Sequence, residues 1–165
     1  YGDHRDLHSF PHDALPIYSH YHFARLNHNM TESFDEIIED DMNNISKFCQ
    51  SNKKLTDFYF ENLVQNSYLA RGFYAEQLEK WFEIFEKNQF LIISSEDLAK
   101  KTQSTLDVVL KFLDVKPEKI NDLKKVNVAK YPPMSMSTRK KLLEYFQESN
   151  EKLYNLINCR FEWDK

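Results

Sequence analysis

Apolar positions recur at helical spacing through most of the chain, and polar breaks separate the runs. Tyr18 to Asn27 reads as a first helix. Ser33 to about Gln50 reads as a second, with Phe34, Ile37, Ile38, Met42 and Ile45 as its apolar stripe. Glu36, Glu39, Asp40 and Asp41 are assigned to its solvated outer face. The polar break Ser51-Asn52-Lys53-Lys54 precedes a third helix from about Leu55 to Tyr68. Gly72 then opens the strongest amphipathic segment, in which Tyr74, Leu78, Trp81, Phe82 and Phe85 form a wide apolar face closed by Asn88. Tyr74 and Trp81 are expected in its core, and Gly72 is expected to supply the turn before it.

The run Phe90-Leu91-Ile92-Ile93 is short, apolar and flanked by turn-formers, so it predicts one buried strand near 90–94. Ser94 and Ser95 are placed to cap a helix through Glu96, Asp97 and Leu98. A further helix, about Ser104 to Leu113, presents Leu106, Val109, Leu110 and Leu113, and Pro117 ends that segment. Tyr131-Pro132-Pro133 is a rigid extended stretch. The last helix, Ser137 to Ile157, turns Leu142, Phe146, Leu153 and Ile157 inward. Helix–strand–helix order with a single buried strand suggests part of an α/β sheet. No internal repeat is present.

Composition adds limits. The chain has 165 residues, 41% apolar and 15% aromatic. A chain of that size makes one globular domain burying roughly 68–70% of its unfolded surface. No apolar run is long enough to span a bilayer. Cys49 and Cys159 suit no disulfide framework or metal pair, and read as two small buried hydrophobes. The glycine count excludes most. Gly2 and Gly72 are the only two, so neither a phosphate loop nor a dinucleotide fingerprint can be written in this chain.

All six histidines precede residue 29. His4, His8 and His12 stand at metal-site spacing on a helix, but Pro11 and Pro16 oppose a helix there. Residues 6–17 resemble translated sequencing-adapter text, so 1–17 is expected to be a foreign or disordered segment rather than a metal site. Between Lys119 and Lys141 lie seven basic residues and one acid, a local +6 in a chain of net charge −4. Such a segment would attract an anion or an acidic partner. Duplex nucleic acid is disfavoured by the pI of about 5.9 and the lack of a reading helix.

Four segments in order carry a family resemblance. They are Tyr18-Ser19-His20-Tyr21; Gly72-Phe73-Tyr74 continuing to Trp81; Gln89 to Leu113, with Ser95-Glu96-Asp97-Leu98 and Lys111-Phe112-Leu113-Asp114; and Tyr131-Pro132-Pro133-Met134 continuing to Phe161-Glu162-Trp163. Together they resemble the sulfotransferases of the heparan-sulfate N-/3-O-sulfating type and their bacterial relatives. The resemblance implies an α/β, P-loop-like sulfotransferase fold, of which residues 18–165 would be the C-terminal part. It implies transfer of a sulfuryl group from 3′-phosphoadenosine 5′-phosphosulfate to a hydroxyl or amine of a carbohydrate, without metal. It places Ser19, near a helix start, at the donor's 3′-phosphate; Lys130, the nearest basic side chain to the family's C-terminal anion clamp, and Tyr131 in the same loop are the further donor-binding candidates. No catalytic base is implied in this chain, which would be inactive alone. The family's arginine ahead of the donor-binding serine falls near Pro11 and is absent. Its Lys-Gly-Arg aligns with Asn127-Val128-Ala129 and is not reproduced. The compartment implied is the cytoplasm for a bacterial source or the Golgi lumen for a eukaryotic one. The competing reading is a non-catalytic helical module that binds an acidic partner or polyanion through Lys119–Lys141.

Overall fold

The structure, a computed structural model, describes residues 14–28, 30–51, 54–55, 67–120, 131–161 and 163. Its helices are α1 (Ala14–His28), α2 (Phe34–Gln50), α3 (Tyr74–Phe82), α4 (Ser95–Lys100), α5 (Thr102–Phe112) and α6 (Met136–Ile157), with 3₁₀ turns at Leu69–Gly72 and Lys87–Gln89. Leu55 is helical, but most of the helix expected over 55–68 lies outside the described residues. The chain divides into two compact units, residues 1–81 with 131–165 and residues 82–130.

In the first unit, α1 starts at Ala14, four residues before the expected start. Pro16 does not block it. It occupies the first turn, where the missing N–H would have had no helical partner. Ile17, inside the stretch expected to be foreign or disordered, is helical and 2% exposed. Residues 1–13, with His4, His8 and His12, lie outside the described residues. Helix α2 opens with a reciprocal cap. The Ser33 hydroxyl accepts from the Glu36 N–H at 3.3 Å, and the Glu36 carboxylate accepts from the Ser33 N–H at 2.8 Å. Its buried stripe is Phe34, Ile38, Asp41 and Ile45. Asp41, assigned to the outer face from sequence, is therefore a buried group.

Helix α6 is capped by Ser135, whose hydroxyl accepts from the Thr138 N–H at 3.1 Å, and ends on Asn158 in the left-handed region. It serves two clusters. Leu142 and Phe146 join Tyr21, Phe34, Ile38 and Leu69, whereas Leu153 and Tyr154 join Ala75 and Trp163. A fully buried residue such as Phe146 contributes about 1.5–3 kcal/mol. The Thr138 hydroxyl donates to Asp35 at 2.6 Å, and Lys141 pairs with Glu39, so α6 is tied to α2 at its start. On α3 the buried residues are Ala75 and Glu76. Trp81, expected in the core, is 49% exposed, and Phe85 lies beyond the helix end. Cys49 and Cys159 are exposed and unbonded, contrary to the buried pair expected.

In the second unit, the expected strand near 90–94 does not form. Phe90 is extended (φ −114°, ψ 134°), but no strand occurs among the described residues, and Ile92 and Ile93 are exposed. An apolar run becomes a strand only where a neighbour takes its N–H and C=O groups, and the described residues offer none. Phe90 instead meets Phe82 and Phe85 edge to face at 4.9 and 6.2 Å. Ser94 caps α4 by accepting from the Asp97 N–H at 3.0 Å. Gln103 on α5 pins the following chain by donating to the Glu118 carbonyl and accepting from the Ile120 N–H.

Candidate functional site

Two segments more than a hundred residues apart meet at the site. The chain enters α6 through Tyr131-Pro132-Pro133-Met134, which is not helical. Tyr18 on α1 donates its hydroxyl to the Pro132 carbonyl at 3.0 Å. The Tyr131 ring lies edge-on to Tyr18 at 5.5 Å and stacks on His22 at 4.4 Å with only 5° between planes. The Pro-Pro stretch holds the loop extended and the aromatic contacts hold it on α1.

Ser19 lies on the exposed side of the same helix, and its hydroxyl makes no hydrogen bond among the described residues. It is the sixth residue of α1, which starts at Ala14. Its N–H is therefore past the unpaired first turn. The expectation that Ser19 sits near a helix start, with the dipole assisting, is corrected: only its side chain is available. Tyr131 is half-buried beside α1. Lys130, Lys124 and Lys125 lie outside the described residues. Of the remaining basic run, Lys141 pairs with Glu39 and Lys140 approaches Glu144 at 3.8 Å. Lys119 belongs to the other unit.

The imidazoles near Ser19 favour the neutral form. Burial, then the Arg71 charge, pushes His20 down; burial, then Arg25, pushes His22 down. The Nδ1 of His20 and the Nε2 of His22 are buried with no partner among the described residues. Arg25 donates to the Tyr21 hydroxyl at 3.3 Å, and that hydroxyl donates to the Glu32 carbonyl at 2.9 Å.

Beneath α1 lies the turn that carries Arg71 and Gly72. The Asp41 Oδ2 accepts from the Ser67 hydroxyl at 3.1 Å, the Tyr68 N–H at 2.6 Å and the Leu69 N–H at 3.0 Å. The Ser67 hydroxyl in turn accepts from the Ala70 N–H at 3.0 Å. Burial dominates the Asp41 carboxyl and pushes it up, against the pull of these donors. The stripe spacing of Phe34, Ile38 and Ile45 places position 41 on the buried face, and that was the signal available for it. Gly72 does not adopt a positive φ. It is glycine because Phe146 and Ile17 leave no room for a side chain. Across α3 and α6, Glu76 accepts from the Ser149 hydroxyl at 2.8 Å, and Lys152 bridges Glu76 and Glu79 at 3.4 and 2.7 Å. No group of three or more metal-ligating side chains occurs among the described residues.

A family model described as a sulfotransferase domain matches residues 12–155. Membrane-associated sulfotransferase kil1 of Dictyostelium discoideum is 39% identical over 95 residues, 58% of this chain and 20% of that protein. Carbohydrate sulfotransferase 15 of Homo sapiens is 25% identical over 164 residues, 89% of this chain and 29% of that protein. Bifunctional heparan sulfate N-deacetylase/N-sulfotransferase 4 of Mus musculus is 29% identical over 118 residues, 58% of this chain and 14% of that protein. A solved sulfotransferase from Alicyclobacillus acidocaldarius superposes with a TM-score of 0.65 at 19% identity, covering 90% of this chain and 53% of that one. The chain thus spans about half of that solved fold and less than a third of these curated relatives.

Proposed function

The chain belongs to the sulfotransferase family, and from that premise we propose that it forms the part of a sulfotransferase that holds the 3′-phosphate of 3′-phosphoadenosine 5′-phosphosulfate. The reaction is transfer of the sulfuryl group to a hydroxyl or amine of a carbohydrate. The observation that carries this reading is the exposed Ser19 hydroxyl on α1, which has no partner among the described residues, with Tyr131 locked to the same helix by the Tyr18–Pro132 hydrogen bond and the His22 stack. An exposed hydroxyl on a rigid helix suits donation to a phosphate oxygen, and Lys130 stands one residue from Tyr131. The names of carbohydrate sulfotransferase 15 and the heparan sulfate N-sulfotransferase support a carbohydrate acceptor.

In the transfer, a bond forms between the acceptor oxygen or nitrogen and sulfur while the bond from sulfur to the phosphate oxygen breaks. The acceptor proton passes to a carboxylate base, and the nucleotide leaves with the electron pair. Ser19, Lys130 and Tyr131 supply binding and orientation, and none of them is the base. These three residues therefore account for binding and not for the proton transfer. Calorimetric titration with 3′-phosphoadenosine 5′-phosphate tests the reading. Saturable binding weakened at least about tenfold by Ser19→Ala supports it. No binding, or equal binding by Ser19→Ala, refutes it. Loss of binding only when Lys124, Lys125 and Lys130 are neutralised would favour a polyanion-binding module.

A further inference from the structure

The sequence does not reproduce the arginine and the Lys-Gly-Arg that the family resemblance calls for, so an anion there needs positive charge beyond that of Lys130. We propose that Arg71 supplies it, and that Asp41 is the positioning residue that holds Arg71 beside α1. The inference rests on reading the Ser19 region of α1 as an anion site.

The turn Leu69–Gly72 packs against α1. The contact is close, since a Cβ on Gly72 would lie 3.1 Å from Ile17 Cδ1. One helical turn on from Ile17 is His20, which follows Ser19 directly, and its ring lies 5.1 Å from that of Tyr68 at the head of the turn. Arg71 therefore stands within electrostatic reach of His20, and it is exposed.

Its state contrasts with that of other cations of the same unit. Lys141, Lys152 and Arg160 reach carboxylates, and Arg25 reaches the Tyr21 hydroxyl. Among the described residues the Arg71 guanidinium makes neither an ion pair nor a hydrogen bond, although its backbone carbonyl is held by the Gln77 amide at 3.1 Å. The backbone is thus fastened on both sides, and among the described residues nothing takes up the charged head, whose planar fork suits a bidentate contact with phosphate.

Asp41 does the fastening on the upstream side. Its single Oδ2 gathers three donors at the start of the turn, and the Ser67 it holds accepts from Ala70, the residue before Arg71. Asp41 itself is 4% exposed and its oxygen is taken up by the turn's donors, so its influence on an anion must pass through the turn.

The test follows the imidazole resonances of His20 in the 165-residue chain by NMR during titration with inorganic phosphate. Three variants are compared with the unaltered protein. A saturable shift of His20 is expected, with affinity about tenfold lower in Arg71→Ala and partly retained in Arg71→Lys. Removing the neighbouring cation should also move the His20 titration upward in Arg71→Ala. Asp41→Asn, checked to be folded by circular dichroism, should lose phosphate affinity severalfold, a change that a purely structural role would not produce in the folded protein. No saturable shift at His20, or unchanged phosphate affinity or His20 titration in Arg71→Ala, overturns the assignment of Arg71. Unchanged affinity in folded Asp41→Asn overturns the positioning role. If 3′-phosphoadenosine 5′-phosphate binds no more tightly than phosphate, the nucleotide reading fails while the result for Arg71 stands.

Discussion

Replacing Gly72 by alanine tests the packing beneath the site. A Cβ at this position lies 2.7 Å from Phe146 Cζ, 2.8 Å from Phe146 Cε1 and 3.1 Å from Ile17 Cδ1. Neither neighbour yields easily. Phe146 is 0% exposed with Phe73 and Tyr145 at 5.1 and 5.4 Å, and Ile17 is 2% exposed. Overpacking of this kind costs about 1–3 kcal/mol. Because Gly72 has no positive φ, alanine meets no backbone strain and stiffens the unfolded chain, which returns about 0.4–1 kcal/mol. The net expectation is a loss of about 1–2 kcal/mol, read by urea unfolding at an unchanged slope. In a thermal scan that corresponds to a fall in Tm of about 2–8 °C. Phe146→Leu removes the ring atoms that collide, so the double variant should be more stable than the sum of the single effects, by about 0.5 kcal/mol or more. Stability equal to or above that of the unaltered protein, or strict additivity in the double variant, would refute the packing argument.

Three further outcomes are expected. The raised carboxyl of Asp41 binds its proton more tightly folded than unfolded, so its contribution is fully present below the ordinary aspartate value of 3.8 and is lost as pH rises through its folded value; urea unfolding from pH 3.5 to 7 should show this component vanish in Asp41→Asn. His22 is shifted the other way, so the stability it supports is present above pH 6.5 and lost as pH falls below it; His22→Gln should flatten the fall in Tm between pH 7 and 5.5. Thr138→Val removes the hydroxyl that donates to Asp35 at 2.6 Å and should cost about 1–2 kcal/mol by urea unfolding; an unchanged midpoint would mean that this α2–α6 link carries no stability.

Much of the architecture was legible locally. The stripe Phe34, Ile38 and Ile45 and the stripe Leu142, Phe146 and Leu153 face inward as their spacing requires. Ser33, Ser94 and Ser135 cap helices as short hydroxyl residues do at such boundaries. The candidate site was legible only as separate pieces. Ser19 and Tyr131 are each nameable from the sequence, but the meeting of the 131–134 segment with α1 depends on a Tyr18 hydroxyl reaching a proline carbonyl 114 residues away.

The sequence by itself determined the helical periods, the caps, the absence of a glycine phosphate loop and the four ordered segments that identify the family, because each is set by residues close together along the chain. The tertiary structure decided that Asp41 is a buried clamp rather than an outer-face carboxylate, and that Gly72 is needed for space rather than for its backbone angles. It also decided that Trp81 is exposed and that the 90–94 run has no ladder partner among the described residues. These outcomes depend on which groups arrive from distant parts of the chain to take a hydrogen bond or fill a volume. Periodicity along one segment carries no information about what packs against it.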